Sequence, residues 1–149
     1  MKNKLILSKQ CAMRQHKGQY RKNNKTPYWH HLRDVVNNLE MMGIKDESIL
    51  CAGWLHDSIE DTSFDYDDVS KFFGKKIAQI VSDLTKETRL PKNQQEQNYL
   101  KQLAKSSWQS KIVKFADILA NVSDLKNSEL NQKQKIIQVK YKIKYLGVI

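Results

Sequence analysis

The sequence has few of the residues that build disulfide frameworks, low-complexity regions or membrane segments. Its 149 residues include two cysteines, two prolines and five glycines. Cys11 and Cys51 lack C-x-x-C spacing and are too few for a disulfide framework. No apolar run approaches the ~18 residues that span a membrane, and Leu5-Ile6-Leu7 is too short for a signal-peptide core. These absences predict a protein of the reducing cytoplasm, with no membrane partner.

Acidic residues are also in deficit. Lys and Arg number 26 against 16 Asp and Glu, which gives a net charge of +10. This excess suits an anionic partner, either a nucleic acid, a phosphorylated small molecule or an acidic surface. The length predicts a single domain over residues 1–149, large enough to bury a core.

The apolar residues recur at helical spacing, and no strand pattern of useful length is present. The clearest case is residues 28–42, where Trp29, Leu32, Val36 and Leu39 share one stripe. We expect Thr26 to cap this helix, with Pro27 in its first turn. The sequence therefore predicts an all-α bundle, with helices over residues 3–17, 28–42, 47 through the acidic cluster, 93–105, 111–125 and 128–149. The last helix is expected to pack on the bundle through its apolar residues Ile136, Ile137, Val139, Tyr141 and Ile143.

An acidic cluster follows the apolar run that begins at Ile49. In one continuous helix, His56 would stack on Glu60, and Asp57 would stack on Asp61. Three carboxylates and an imidazole in six positions suit Mn, Fe or Zn. The alternative is an acidic helix end that binds nothing.

Two further segments place polar groups towards the interior. Periodicity directs His31 inward and His30 towards water. Residues 111–125 are apolar nearly all round, so we expect this helix to be buried. A buried histidine is often a hydrogen-bonded core residue, and a buried aspartate is often paired, here with Lys114 or a distant Arg. The polar exceptions in residues 111–125 form one stripe: Lys114, Asp117, Asn121 and Asp124.

Two imidazoles and two carboxylates from separate helices would complete a metal site. Helical bundles build such sites from side chains on facing helices. Four protein ligands leave positions for water and substrate, as hydrolytic metal catalysis requires. The predicted ligands are His31, His56, Asp57 and Asp117.

The predicted ligands belong to a wider motif that covers residues 8–127. Its residues are His16-x-Gly18-Gln19-x-Arg21-Lys22, Pro27-Tyr28-x-x-His31, Leu55-His56-Asp57-x-x-Glu60-Asp61-Thr62, Leu84-Thr85-Lys86 and Val113-Lys114-x-Ala116-Asp117-x-Leu119-x-Asn121. This pattern resembles the RelA/SpoT-type hydrolase domain of the HD-domain phosphohydrolases, in particular the small stand-alone alarmone hydrolases of the metazoan SpoT homologue type. We expect a hydrolase without a synthetase domain.

The resemblance implies a compact HD-domain bundle and an Mn²⁺-dependent enzyme. Its reaction would remove the 3′-pyrophosphate from guanosine tetra- or pentaphosphate to give GDP or GTP. Glu60 and Asp61 would position and activate the attacking water. Arg21, Lys22, Lys86 and Asn121 would contact the substrate. His31, His56, Asp57 and Asp117 would hold one Mn²⁺ ion, or another divalent metal.

Other functions stay open at this point. A phosphatase of the same type could act on the 2′-phosphate of NADPH or on a nucleoside monophosphate. A nucleotide- or RNA-binding protein with a vestigial metal site is the alternative from another class. Few aromatic residues are interleaved with the basic ones, which disfavours a nucleic acid partner. Either a monomer or a homodimer is compatible with the sequence.

Overall fold

Helices form wherever the apolar spacing predicts them. The computed structural model describes residues 3–149, so residues 1 and 2 of the predicted domain lie outside the described part. Within it, the one bridge outside helices joins Tyr20 and Pro27. The described residues form nine helices in order: α1 (Lys4–Gln15), α2 (Trp29–Met41), α3 (Glu47–Leu55), α4 (Ser58–Asp61), α5 (Tyr66–Phe73), α6 (Lys75–Asp83), α7 (Lys92–Lys105), α8 (Trp108–Leu125) and α9 (Gln132–Leu146).

The centre of the fold is made by α2, α3 and α8, which pack on one another. Leu32, Val35 and Leu39 on α2 are fully buried there. A Cβ atom on Gly53 would lie 3.0 Å from side-chain carbons of both Leu39 and Val36. Glycine therefore lets α2 and α3 approach closely, which brings the functional histidines of both helices together.

The outer helices cover this centre on several sides. α1 packs on α3, and the α5–α6 pair packs through α6 on both α3 and α8. α7 contacts α9 beside α8, and the rings of Tyr99 and Tyr145 meet edge to face at 5.5 Å. One buried apolar cluster runs from Cys11 on α1 to Tyr145 on α9.

The start of α2 differs from the prediction. Thr26 does not cap the helix, because its carbonyl accepts a hydrogen bond from the Arg21 backbone N–H and its side chain bonds to Asn23. Tyr28 occupies the N-cap position instead. Residues 16–28 thus form a folded loop that holds Arg21 against the bundle.

The acidic cluster was predicted to lie on one continuous helix, but the helix is interrupted. α3 ends at Leu55, and α4 restarts at Ser58 after a turn at His56 and Asp57. Asp57 has φ −96° and ψ 1°, outside the helical minimum. The turn places Asp57 beside the histidines, while its carboxylate stays within 4.8 Å of those of Glu60 and Asp61.

Burial of the last two helices was also overestimated. On α8, Leu119 and Val122 are 39% and 43% exposed, so this helix is covered on one side and not all round. On α9 the buried residue is Tyr145. The apolar residues predicted to pack there are exposed, apart from the partly buried Tyr141: Ile136, Ile137, Val139 and Ile143.

Among residues 3–149, no helix is both long and apolar enough to cross a membrane.

Candidate active site

Three helices deliver one ligand atom each to a common point. His31 lies on α2, His56 follows α3, and Asp117 lies on α8; all three are buried. The Asp117 Oδ1 atom is 3.0 Å from His31 Nε2 and 3.4 Å from His56 Nε2. The group satisfies the spacing of a metal site, because its ligand atoms lie within 4.8 Å of one another.

Asp57 adds a second carboxylate to this group. Its Oδ2 atom is 3.1 Å from His56 Nε2 and 3.8 Å from His31 Nε2. The Tyr28 hydroxyl donates a hydrogen bond of 2.7 Å to the same oxygen. The structure thus brings together all four side chains that the sequence predicted as ligands.

The histidine atoms are arranged for a cation. His56 Nδ1 lies 2.8 Å from the Gly53 carbonyl oxygen. Because a carbonyl can only accept, Nδ1 carries the proton, which leaves Nε2 free to coordinate. This Nε2 atom is buried and has no hydrogen-bond partner. Imidazole and carboxylate donors together suit Mn, Fe or Zn, so the residues present fit a divalent metal.

Charges in this group stabilise one another. Burial lowers the pKa of His56, but the Asp57 and Asp117 carboxylates outweigh it and raise the pKa well above its usual value. Burial opposes ionisation of Asp117, yet the Lys114 ammonium and the two histidines lower its pKa. The basic side chains around Asp117 therefore favour its ionised form.

Two neighbours on α8 hold Asp117 in place. Lys114 Nζ donates to Oδ2 at 3.0 Å, and Asn121 Nδ2 donates to Oδ1 at 2.9 Å. The pairing of Asp117 with Lys114, considered above as an alternative to a ligand role, coexists with the histidine contacts. Spacings of three and four residues put these three side chains on one helix face.

Glu60 and Asp61 lie beside the metal group on the short helix α4. Glu60 Oε1 accepts a hydrogen bond of 2.6 Å from the Lys86 backbone N–H. Burial and the neighbouring carboxylates of Asp57 and Glu60 raise the pKa of Asp61 to about 7. Burial likewise raises the pKa of Glu60. Carboxyl groups with raised pKa values near a metal group can exchange a proton with water near neutral pH.

Two adjoining cavities open next to these carboxylates. The inner cavity contains the Asp57, Glu60 and Asp117 side chains together with Lys86 and Lys114. The outer cavity is lined by basic and amide residues that include Arg21, Lys22 and Gln138. Asn121 and Lys142 line both cavities. The four predicted substrate residues therefore lie along one cleft, Lys86 in the inner cavity and the others towards the outer cavity.

Three of the predicted substrate residues already have protein partners: Arg21, Lys86 and Asn121, which also bonds to Asp117. Arg21 donates to Asp124 at 2.8 Å and to Asn121 at 3.0 Å. Lys86 forms an ion pair with Glu96, which also accepts a hydrogen bond from the Tyr145 hydroxyl. The Arg21 fork is thereby fixed over the Tyr28 ring, 5.5 Å from its centroid.

The motif His16-x-Gly18-Gln19 was part of the family resemblance, but no role was predicted for these residues. The His16 ring stacks on Tyr28 at 5.0 Å, and its Nδ1 bonds to Gln19 Oε1 at 2.8 Å. Gln19 Nε2 then donates to the Asp61 carbonyl at 2.8 Å. These contacts link the Asp57 side chain to the Asp61 backbone. The motif spacing was visible in the sequence, but its contacts cross between distant elements.

Comparison with protein-family models matches the HD domain over residues 9–143. The chain belongs to the HD-domain family. HD domains are metal-dependent, in keeping with the group of His31, His56 and Asp117.

Curated relatives agree with the motif-based resemblance. The chain is 37% identical over 118 residues to guanosine-3′,5′-bis(diphosphate) 3′-pyrophosphohydrolase MESH1 of Drosophila melanogaster, covering 78% of this chain and 66% of that protein. It is 37% identical over 123 residues to human MESH1, covering 81% and 69%. The match thus spans about two thirds of these relatives.

Solved structures show the same fold. One, described as a metazoan ortholog of SpoT that hydrolyzes ppGpp, superposes with a TM-score of 0.90 at 31% identity and covers 99% of this chain and 85% of that one. The lmo0812 structure from Listeria monocytogenes EGD-e gives a TM-score of 0.66 at 23% identity, covering 82% and 80%. The predicted HD-type helical bundle is confirmed.

Proposed function

We propose that this protein is a metal-dependent hydrolase that removes the 3′-pyrophosphate from guanosine tetra- or pentaphosphate. The products would be pyrophosphate and GDP or GTP. One observation carries the proposal: two histidines and two aspartates, from α2, α8 and the turn after α3, converge next to a cleft lined with cations. The MESH1 relatives are named for this same reaction, which supports the proposal.

We assign the metal to His31, His56, Asp57 and Asp117 and propose Mn²⁺ as the ion. The free, buried Nε2 of His56 supports this assignment. When bound, the metal would supply Lewis acidity that polarises a phosphoryl oxygen and lowers the pKa of water. Tyr28, Lys114 and Asn121 orient the carboxylates that would hold it.

Glu60 and Asp61 are the proposed acid–base residues. The backbone bond from Lys86 fixes Glu60 towards the cavity, and Asp61 has a pKa near that of a general base at neutral pH. Either carboxylate can take a proton from the attacking water, a contribution of roughly 10²–10⁴-fold. Their closeness couples the two protonation equilibria.

The proposed substrate residues are Arg21, Lys22, Lys86 and Asn121. Arg21 offers a planar fork and Lys22 a point charge for phosphate. Lys86 would exchange its Glu96 partner for a substrate phosphate. Cations beside the transferred group stabilise the charge that gathers on its oxygens in the transition state.

The remaining assignments concern the domain, its location and its partners. We propose that residues 1–149 form a single HD-type domain, which the continuous core from α1 to α9 supports. A cytoplasmic location, and a monomer or homodimer without a nucleic acid partner, stay predictions from the sequence.

A parallel substrate assay tests the reaction. Purified protein with Mn²⁺ is offered guanosine tetraphosphate, NADPH and a nucleoside monophosphate, and released phosphate and pyrophosphate are measured. We expect pyrophosphate from the first substrate at a far higher kcat/KM than release from the others. Preferential release of phosphate from NADPH or the monophosphate would replace the substrate assignment. No release from any of them would favour the binding protein with a vestigial site.

Two substitutions separate the metal role from the acid–base role. Asp57→Ala should abolish both Mn²⁺ binding and turnover, because it removes a ligand. Glu60→Gln should keep Mn²⁺ binding, measured by calorimetry, and lose turnover. Asp67→Ala, at an exposed position of α5, is the matched control and should change neither. Activity in both site variants would show that the site assignment is wrong.

A further inference from the structure

The cations that line the cleft fall into two groups. Three have carboxylate partners: Arg21 with Asp124, Lys86 with Glu96 and Lys114 with Asp117. Among residues 3–149, neither Lys22 nor Lys142 has a carboxylate within ion-pair distance. Lys22 already has a proposed substrate role. Lys142 on α9 is the cleft cation that neither motif nor family resemblance singled out.

Lys142 occupies the junction of the inner and outer cavities. It lines both, as Asn121 does from the opposite helix α8. The side chain is half-buried, and its Nζ atom lies 5.5 Å from the centroid of the Tyr145 ring. The Lys142 side chain thus lies over the buried Tyr145 ring where the two cavities meet.

The surroundings of Lys142 contain too little negative charge for it. Burial lowers its pKa, as do the ammonium groups of Lys114, Lys22 and Lys86, whereas the Asp117 carboxylate raises it. A half-buried charge without a partner is unfavourable. Four lysines from four elements that converge on one cleft form a site that an anion would stabilise.

We propose that Lys142 is a further substrate-binding residue. It joins the two cavities into one site for a nucleotide that carries phosphates at both the 3′ and the 5′ positions of its ribose. This inference rests on the proposed function and adds a residue to its substrate site. The 3′-diphosphate would lie in the inner cavity beside Glu60, and the nucleoside with its 5′-phosphates would extend past Lys142 to Arg21 and Lys22. A nucleoside monophosphate would fill only one of the two cavities.

Lys142→Gln tests the proposal through the split between KM and kcat. With guanosine tetraphosphate and Mn²⁺, we expect KM to rise about 10- to 100-fold, the loss expected for one charge-assisted hydrogen bond, with kcat changed less than about twofold. Lys142→Arg should restore most of the affinity. Lys144→Gln removes an exposed lysine two residues away and should leave both constants unchanged. A KM in Lys142→Gln equal to that of Lys144→Gln would overturn the proposal.

Binding without turnover distinguishes this inference from the proposed function. The dissociation constant of guanosine tetraphosphate is measured by calorimetry in Glu60→Gln and in Glu60→Gln/Lys142→Gln. If the double variant binds guanosine tetraphosphate 10- to 100-fold more weakly than Glu60→Gln, the result supports the role of Lys142, even if the wild-type protein hydrolyses another nucleotide. Equal constants overturn it, whatever reaction the enzyme catalyses.

Discussion

At the scale of single residues, Tyr28 connects the metal group to the loop before α2. Its hydroxyl donates to Asp57 Oδ2 at 2.7 Å, while its ring contacts both the His16 ring and the Arg21 guanidinium. Burial and the Asp57 charge raise the pKa of Tyr28, so the hydroxyl stays a donor. Tyr28 can thus orient one metal ligand and one phosphate-binding residue.

Tyr28→Phe should weaken the metal site without unfolding the protein. The change removes only the donor to Asp57, and loss of such an outer contact typically costs about 10- to 100-fold in metal affinity or activity. Mn²⁺ affinity by calorimetry is the measurement. Tyr20→Phe, at a tyrosine that is 56% exposed, is the control and should bind as wild type does. Unchanged Mn²⁺ affinity in Tyr28→Phe would show that Tyr28 does not orient Asp57 for metal binding.

Asp61 makes the stability of the metal-free protein depend on pH. Its pKa is raised from 3.8 to about 7, so the folded state binds a proton that the unfolded state has released. This contribution is complete below the unfolded pKa and is lost as pH rises through about 7. With chelator present, the free energy of unfolding should fall between about pH 4 and 7 more steeply in wild type than in Asp61→Asn. Parallel pH profiles would contradict the raised pKa.

At the scale of elements, the contact between α2 and α3 sets the distance between the two histidines. Gly53 lies at the closest approach and also supplies the carbonyl that fixes the His56 ring. A methyl group at this position would press on Leu39 and Val36. The geometry of the site therefore depends on a residue with no chemistry of its own.

Gly53→Ala should destabilise the fold and the site together. Alanine favours a helix by about 1 kcal/mol over glycine, but overpacking at a helix contact costs about 1–3 kcal/mol. We expect a net loss of about 1 kcal/mol in urea unfolding, with weaker Mn²⁺ binding. Gly147→Ala, at a glycine with φ −67° after α9, supplies the control. Greater stability with normal metal binding in Gly53→Ala would show that the helices have room to adjust.

The sequence predicted those elements whose periodicity is strong. The apolar stripe of α2 correctly placed His31 inside, and the polar stripe of α8 correctly grouped Lys114, Asp117 and Asn121. The turn at His56 and Asp57 was missed, because residues 54–62 contain neither proline nor glycine to mark a break. The extent of burial on α9 could not be read either, since its aliphatic residues resemble a core face.

Contacts between distant elements were beyond sequence reasoning. The Lys86–Glu96 pair and the position of Lys142 between the cavities depend on how loops and α9 dock. Periodicity fixes which way a side chain faces on its own helix, but it does not specify which neighbour it meets. The family motif supplied the metal and acid–base residues, whereas the unpaired state of Lys142 became visible only in three dimensions.

At the scale of the whole molecule, the metal group joins the helices that form the core. A ligand that binds only the folded state stabilises it by mass action. The gain is about 2.7 kcal/mol when the free ligand concentration is 100 times the dissociation constant. Mn²⁺ at that concentration should raise the melting temperature by about 5–10 °C for a chain of this size. Asp117→Asn should show no such rise. An equal rise in both proteins would place the bound metal elsewhere.

The most direct test of the proposed reaction is the rate of pyrophosphate release from guanosine tetraphosphate by the purified protein. With Mn²⁺ present, we predict multiple turnovers that yield GDP and pyrophosphate in equal amounts, and none after chelation or in Asp57→Ala. The absence of pyrophosphate release from a folded, Mn²⁺-loaded protein would contradict the proposed reaction.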